Sequence, residues 1–581
     1  MTIKIWQQMP AITPVVRELF SSQDEVSAQL LFNRGLITAQ AAADFLVGED
    51  DRLQHDPFLF RNMIEAVDLV ISHIKAGNKI IVYGDYDADG VTAASCLYET
   101  LATLHAQVGV YIPDRVSEGY GLNQAAINEL VAQQAKLVIT VDNGIRDQAN
   151  VARLIERGVQ VIVTDHHVPP PETSNWPQCL IINPMLPNET YPFKYLAGVG
   201  VASKFALAII KRANISDEIK DRLSDRIMDL VALGTVADCV TLLGENRALV
   251  KRGLRVMNHT TRIGLQELIK IAKINEEKTL DSWNIGFQLA PRLNAAGRMD
   301  HANTAFELMI TRDQPTAVKL AMGLNDSNQI RQRITEGIVK QVTATITEQQ
   351  LADKIIIAVS PSVYGQGESW NEGVIGLAAG RLMERYYLPV LVITGTPNHI
   401  KASGRSIEEF HLIEAIELAS EHLDKYGGHA AAAGFTITSQ ANLEAFMTAM
   451  KGLVKAKLGD LTLGAKLNIE TEISLRQIDM DLWTNLERFA PFGEDNPKPI
   501  FVTHGVEVVD LAKLGTEGQH LRLRLRQDQP RFLSAIGFNQ VVDWPDLKIG
   551  SIINVVYYLE LNTFNGRTEL QLRLIDLKIL S

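Results

Sequence analysis

At 581 residues the chain is too long for a single hydrophobic core and predicts about three or four domains. Its composition, 46% hydrophobic and 21% charged, is that of a globular protein with ample apolar material to bury. No run of about 18 apolar residues occurs, and the start, with Pro10, Pro14, Arg17 and Glu18, lacks a long apolar segment; neither a membrane-spanning helix nor a secretory signal is expected. The net charge of −12 does not exclude a nucleic-acid partner, because a whole-chain charge does not report a local groove. Cys96, Cys179 and Cys239 are widely separated, so they offer neither a disulfide framework nor a thiolate metal site and fit a reducing cytoplasm.

From Lys79 to Met185, strand-like runs alternate with amphipathic stretches at the spacing of βαβ units, with Val91–Leu104, Asn123–Gln133 and Gln148–Arg157 as crossover helices. Three aspartate-bearing turns follow apolar runs here: Gly84-Asp85-Tyr86-Asp87-Ala88-Asp89-Gly90, Asp142-Asn143-Gly144 and Asp165-His166-His167. A fourth run, Leu230–Ala237, leads to Asp238 and also reads as strand-like, although the pattern from Val199 to about Lys273 is helical. Residues 302–350 read as long helices joining two lobes. A second α/β unit begins at Asp353, with strands at Lys354–Val359 and Pro389–Thr394 and helices at Val374–Tyr386 and Leu412–Ala419. Beyond Leu463 short alternating strands take over. In Leu521–Arg526 leucine and arginine alternate, which puts Arg522, Arg524 and Arg526 on one strand face. An all-β module of about 110 residues with basic faces suits an OB-fold barrel.

Strands buried on both faces of a parallel sheet end on one edge, where ligands bind. The acids and imidazoles of these segments would converge there, and so many anions cannot be packed without cations between them. Asp85, Asp87 and Asp89 sit at alternate positions and point the same way in extended chain. Mixed carboxylate and imidazole donors suit Mg²⁺ or Mn²⁺, with Mn²⁺ favoured by nitrogen. A bridging Asp142 would hold two cations about 3.5–4 Å apart, a spacing used in phosphoester hydrolysis.

Asp87-Ala88-Asp89-Gly90, Val141-Asp142-Asn143-Gly144, Asp165-His166-His167 and Asp238 resemble the four motifs of the DHH phosphoesterase superfamily. Ser403-Gly404-Arg405-Ser406 and Gly427-Gly428-His429 resemble those of its associated second lobe. With the terminal barrel, the likeness is to the branch of single-strand-specific 5′→3′ DNA exonucleases. It implies an α/β, two-lobed protein: a catalytic domain at 1–310 with a parallel sheet, connecting helices at 311–350, a smaller associated α/β lobe at 351–460, and an OB-fold at 461–581. It also implies that Asp87, Asp89, Asp142, His166 and Asp238 ligate two Mn²⁺ or Mg²⁺ ions. Many relatives carry histidine where this chain has Tyr83, so Asp85 is taken as a substitute ligand. His167 is placed either near the leaving group or scissile phosphate, stabilising charge or moving a proton, or behind Asp238 or another ligand as its orienting partner. Asp165 is assigned to the turn.

Substrate positioning needs donors. Arg115 follows another strand of the sheet, and Tyr120 offers a face for base stacking or for packing. Arg292 and Arg298 lie in a segment that resembles one characteristic of the exonuclease branch, where arginine's fork suits backbone phosphates and a surface salt bridge is the alternative. In the second lobe Ser403, Arg405, Ser406, Gly427, Gly428 and His429 are expected to hold a substrate end. Arg522, Arg524 and Arg526 would extend a track for single-stranded DNA, in competition with a plain solvated face. A cleft between the lobes too narrow for duplex would explain strand selectivity. The likeness further implies a single-strand DNA-binding protein and a helicase as partners, roles in DNA recombination and mismatch repair, a cytoplasmic location, and neither a nucleotide cofactor nor a membrane. The nearest rival is an enzyme of the same superfamily acting on short oligonucleotides. A non-catalytic DNA-binding factor is the rival of another class.

Overall fold

The computed structural model describes residues 4–47, 53–115, 117–275, 279–299, 301–528, 531–564 and 567–580. The chain divides into two compact units. One comprises Ile12–Asn328 with Trp483–Lys498; the other comprises Met1–Ala11, Gln329–Leu482 and Pro499–Ser581. Among the described residues no helix is long and apolar enough to cross a membrane.

The first unit is built on a five-stranded sheet, parallel throughout, in the order Gln107–Tyr111, Lys79–Tyr83, Leu137–Val141, Gln160–Thr164, Leu180–Ile182. The strand alternation divides two cores. Ile80, Val82, Leu137, Ile139, Val141 and Ile162 face one core; Ile81, Tyr83, Val138, Val161 and Val163 face the other. This explains the unbroken apolar runs, since neither face meets water. The helices Ala88–Thr103, Gln124–Ala132 and Gln148–Glu156 make the crossovers. Strand order reverses between Lys79–Tyr83 and Leu137–Val141, and such a switch point opens a crevice at the strands' carboxyl ends.

The fourth apolar run is not a strand. Met228–Ala237 is an α-helix with Asp238 as its C-cap, and Met228 through Thr235 are all buried. A helix enclosed on every side shows no polar stripe, so its sequence mimics a strand buried on both faces. Its far end holds a buried ion cluster. Arg262 reaches Glu99 at 2.7 and 3.0 Å and Asp229 at 3.1 Å, while Arg226 adds a contact to Glu99 at 3.3 Å. Glu99 lies on helix Ala88–Thr103, so the cluster ties two helices together at one end.

The segment Trp483–Lys498 returns to this unit and is clasped by the fully buried Arg247. Its Nη1 donates to Phe489 O at 2.9 Å, its Nη2 to Arg488 O at 3.0 Å and Ala490 O at 2.8 Å, and its Nε to Phe45 O at 3.1 Å. The guanidinium also lies over the Phe45 ring.

In the second unit a five-stranded mixed sheet runs in the order Lys425–Gly428, Ala432–Ile437, His399–Arg405, Val390–Thr396, Ile356–Val359, with only the last pair parallel. A closed barrel follows, its strands Phe501–Leu514, His520–Arg526, Leu533–Gly537, Arg567–Ile579 and Ile552–Phe564 joined in a ring by pairing of the first with the last. The N-terminal strand Lys4–Gln8 pairs in parallel with Ala465–Ile469. Helix Gln314–Thr345 spans 32 residues, and the division between the units falls within it.

Candidate metal centre

Helix Ala88–Thr103 begins where strand Lys79–Tyr83 has turned over. Asp87 is its N-cap, and one carboxylate oxygen accepts from Asp89 N and Gly90 N, both at 3.0 Å. Asp89 is held from the start of another helix, Gly198–Arg212: Gly198 N donates to its carboxylate at 2.7 Å and Val199 N at 2.9 Å. Two unpaired amides at a helix N-terminus favour a carboxylate electrostatically. The approach requires glycine. A Cβ on Gly198 would lie 2.5 Å from Asp142 Oδ1, and one on Gly234 would lie 2.8 Å from Asp89 Oδ1.

Asp142 follows its strand with a left-handed φ of 62°, a conformation uncommon for a residue with a side chain. His166 Nε2 stands 3.1 Å from Asp142 Oδ1 and 3.8 Å from Asp238 Oδ2. Three groups of potential ligand atoms, each within 4.8 Å of one another, share members: Asp85, Asp87 and Asp142; Asp89, His166 and Asp238; and Asp142, His166 and His167. The geometry therefore brings together all six residues expected as ligands, and adds His167 beside them. Asp85 does belong to the cluster. Tyr83 does not, because its hydroxyl donates to Gly121 O on the other side of the sheet.

Asp165 fixes the turn. One carboxylate oxygen accepts from His166 N, from His167 N and from His167 Nδ1 at 2.8 Å, and the other accepts from Ile145 N. His167 thus orients against Asp165, not against Asp238. The Tyr120 hydroxyl donates to Asp142 O at 3.1 Å and lies 3.1 Å from His167 Nδ1, leaving the half-exposed ring across the edge of the imidazole.

The electrostatics are those of carboxyls crowded in the interior, where Arg115 and His167 offset only part of the burden. Burial, then the charge of Asp87, pushes Asp89 up to about 7. Burial, then Asp89 and Asp87, pushes Asp238 up to about 9. Asp142 and Asp85 are raised well above the carboxylate range, again by burial first and neighbouring carboxylates second. His166 is lowered to about 4 by burial and by His167, which leaves it as the neutral imidazole that ligates metals. Burial works against a charged His167, but the Asp165 hydrogen bond and charge raise it overall. Asp85 Oδ1, Asp142 Oδ1, His166 Nε2 and Asp238 Oδ2 are buried without a hydrogen-bond partner. Orphaned buried acceptors are costly, and a cation between them removes the cost. The donor set fits a hard divalent ion of the Mg²⁺ or Mn²⁺ type.

The expected substrate residues are placed unevenly. Arg115 lies over the Tyr86 ring at 4.7 Å, and its charge acts on Asp85. Arg298 acts electrostatically on Tyr86 too. Arg292 is folded back, with Nη1 on Gln288 O and Nε on Asn325 Oδ1. In the second unit Ser403 and Arg405 share one face of strand His399–Arg405, and the register aligns Gly427, Gly434 and Ser403 across three strands. Gly428 aligns with Gly404, and His429 N donates to Ala432 O at the strand end. Ser406 is a correction: its side chain is buried and its hydroxyl donates to Phe410 O at 2.7 Å, so it offers no donor outward. Arg522, Arg524 and Arg526 do share the barrel's outer face, but as a track they are compromised. Arg526 binds Glu507, Arg522 sits 3.6 Å from Asp510, and Arg524 lies over Phe532. The neighbouring strand supplies acids that the alternation within one strand could not reveal.

A switch-point parallel sheet edged by this acid–imidazole cluster defines a DHH-type protein: residues 79–235 match the DHH family, N-terminal domain, and residues 352–456 the DHHA1 domain. Residues 469–576 match the RecJ OB domain. The single-stranded-DNA-specific exonuclease RecJ of Bacillus subtilis (strain 168) is 36% identical over 558 residues, covering 94% of this chain and 67% of that protein. The RecJ of Haemophilus influenzae is 32% identical, covering 87% of this chain and 89% of its own. The crystal structure of RecJ in complex with Mn²⁺ from Thermus thermophilus superimposes with a TM-score of 0.81 at 27% identity, over 99% of this chain and 79% of that one. A manganese-bound exonuclease RecJ structure gives 0.59 at 31% identity, over 69% of this chain and 97% of that one. The chain belongs to the RecJ family.

Proposed function

We propose that this chain is a single-stranded-DNA-specific exonuclease that digests 5′→3′ to mononucleotides and depends on two Mn²⁺ or Mg²⁺ ions. One observation carries the reading: carboxylates from three separate segments and an imidazole from a fourth meet at the sheet edge with buried oxygens left unpaired, in a chain of the RecJ family. Asp85, Asp87, Asp89, Asp142, His166 and Asp238 would hold the ions; Asp142 and His166 each belong to two of the groups, and of the two only the carboxylate has a second oxygen to offer. Bound there, the ions would supply a nucleophile near neutral pH and offset the charge that develops on the phosphate oxygens.

The chain's own groups do the rest. Gly198 and Val199 amides fix Asp89, and Asp165 holds His167 by Nδ1, which leaves Nε2 as the nitrogen that serves the departing oxygen. Arg115 and Arg298 are assigned to phosphate oxygens. Ser403, Arg405, Gly427, Gly428 and His429 are assigned to a terminal phosphate, on the strength of their aligned register and of the DHHA1 match. A cytoplasmic location, and a single-strand DNA-binding protein and a helicase as partners in recombination and repair, complete the reading. The decisive measurement is a time course on 5′- and 3′-labelled single strands and on blunt duplex, with Mn²⁺ and with EDTA. Loss of the 5′ label first, on single strands and only with metal, is expected. Equal digestion of duplex would refute the specificity, and metal-independent digestion would refute the centre.

A further inference from the structure

The short helix Ser282–Asn284 runs directly into a wide π-helical stretch, Ile285–Leu289. Its start is closed by a capping box in which Asp281 accepts from Asn284 N and the Asn284 side chain accepts from Asp281 N. One side is anchored inward by the enclosed Ile285 and Leu289, and a Cβ on Gly286 would lie 3.8 Å from Val236. The other side carries Trp283, 51% exposed, and Phe287, 70% exposed. These two rings stack on each other, centroids 5.5 Å apart and planes 24° from parallel. Isolated exposed apolar side chains are ordinary, but a stacked pair held in water by a rigid, capped element is a patch awaiting a flat partner.

Three features name the partner. The aromatic segment rests against Val236, on the helix that ends in Asp238 of the metal centre. A polar ridge runs alongside the rings at the same helical spacing: Asn284 Nδ2 donates to Gln288 Oε1, and Arg292 Nη1 donates to Gln288 O. An apolar ridge for π-faces beside a ridge ending in a fixed guanidinium is the pairing that binds single strands, rings taking bases and cations taking backbone. Stacking on an open face also accepts any base, as a processing exonuclease requires. π-Helical turns concentrate at functional sites, and here the wide turn is the element that presents Phe287.

We propose that Trp283 and Phe287 form a stacking platform for unpaired nucleobases of the DNA strand being digested. The proposal rests on the reading of the chain as a single-strand nuclease. The test is the double variant Trp283→Ala/Phe287→Ala, which alters exposed rings and leaves the core intact. Affinity is measured without divalent metal by anisotropy, for a labelled thymidine oligonucleotide and for an abasic strand of the same length. Hydrolysis of the oligonucleotide is measured in parallel with Mn²⁺. The variant should bind the base-bearing strand about tenfold more weakly, bind the abasic strand as the wild type does, raise KM and leave kcat unchanged. Exchanging the rings (Trp283→Phe/Phe287→Trp) should restore affinity. Wild-type affinity in the alanine variant, or an equal loss on the abasic strand, would overturn the platform. Because binding is read without metal, a wild-type protein that hydrolyses nothing would sink the nuclease reading separately.

Discussion

Helices Ala88–Thr103 and Met228–Ala237 are each bracketed by two acidic residues, and the two ends of the pair are treated in opposite ways. At one end Glu99 and Asp229 are saturated by Arg262. Burial works against an ionised Glu99, but the charge and hydrogen bonds of Arg262 hold it below the usual carboxylate range. At the other end Asp89 and Asp238 face further carboxylates, and burial drives them upward. The same fold thus contains a completed ion cluster and an incomplete one. Completed clusters lock structure; incomplete ones, whose deficit is positive charge, are built to receive it.

Substitutions separate the two. Asp142→Asn should cost hydrolysis on the order of a thousandfold or more, since cations at the centre supply several kcal/mol at the transition state. The same change should leave the metal-free protein at least as stable, because it removes a carboxyl whose ionisation is opposed by burial and by its neighbours; urea unfolding checks this. Arg262→Met should do the reverse at the other end. It strands two buried carboxylates and should lower unfolding free energy by about 3–5 kcal/mol, read by the same denaturation. If the arginine variant unfolds like the wild type, the contrast between the two ends is wrong.

Metal and pH sharpen the contrast. Mn²⁺ at about one hundred times its dissociation constant should add about 2.7 kcal/mol to the wild type and much less to Asp142→Asn. In metal-free protein, Asp89 and Asp238 titrate above their unfolded values, so the folded chain binds more protons and stability falls as pH rises from about 4 through 7 to 9. Glu99 is depressed, so its contribution is present above about pH 4.3 and is lost as pH falls through its folded value. Unfolding curves across this range should show the high-pH decline flattened by Mn²⁺, with the acid limb unchanged. The smallest effect expected is for Tyr120→Phe, which removes one hydroxyl donated to Asp142 O and should cost about 1 kcal/mol in thermal unfolding.

Much of the centre was legible because most of its residues follow strands and carry their own punctuation: Asp87 caps a helix, Gly90 in that helix leaves room for Asp85, Gly144 allows a turn, and His166 and His167 end a run. What escaped came from distant chain. The amides that fix Asp89 belong to residues 198 and 199, and only the glycines at 198 and 200 hinted at a close approach there. Arg262 has no local pattern at all, since its partners lie on two other helices. The Leu230–Ala237 run read as a strand because total burial erases helical periodicity. Ser406 read as a donor because a motif names the hydroxyl without telling whether it is satisfied inside.

The clasp of Arg247 on the backbone of residues 488–491 has a consequence for how the protein is made. Five main-chain carbonyls solvate a guanidinium in the interior of the first unit, yet four of them are translated only after the whole DHHA1 region has been synthesised. Until residue 498 emerges, the nascent first unit holds a cation with its seat missing. Completion of the first unit is thereby timed to late synthesis, and a chain terminated just after the DHHA1 region would carry every residue of the acid–imidazole cluster and still lack a finished interior.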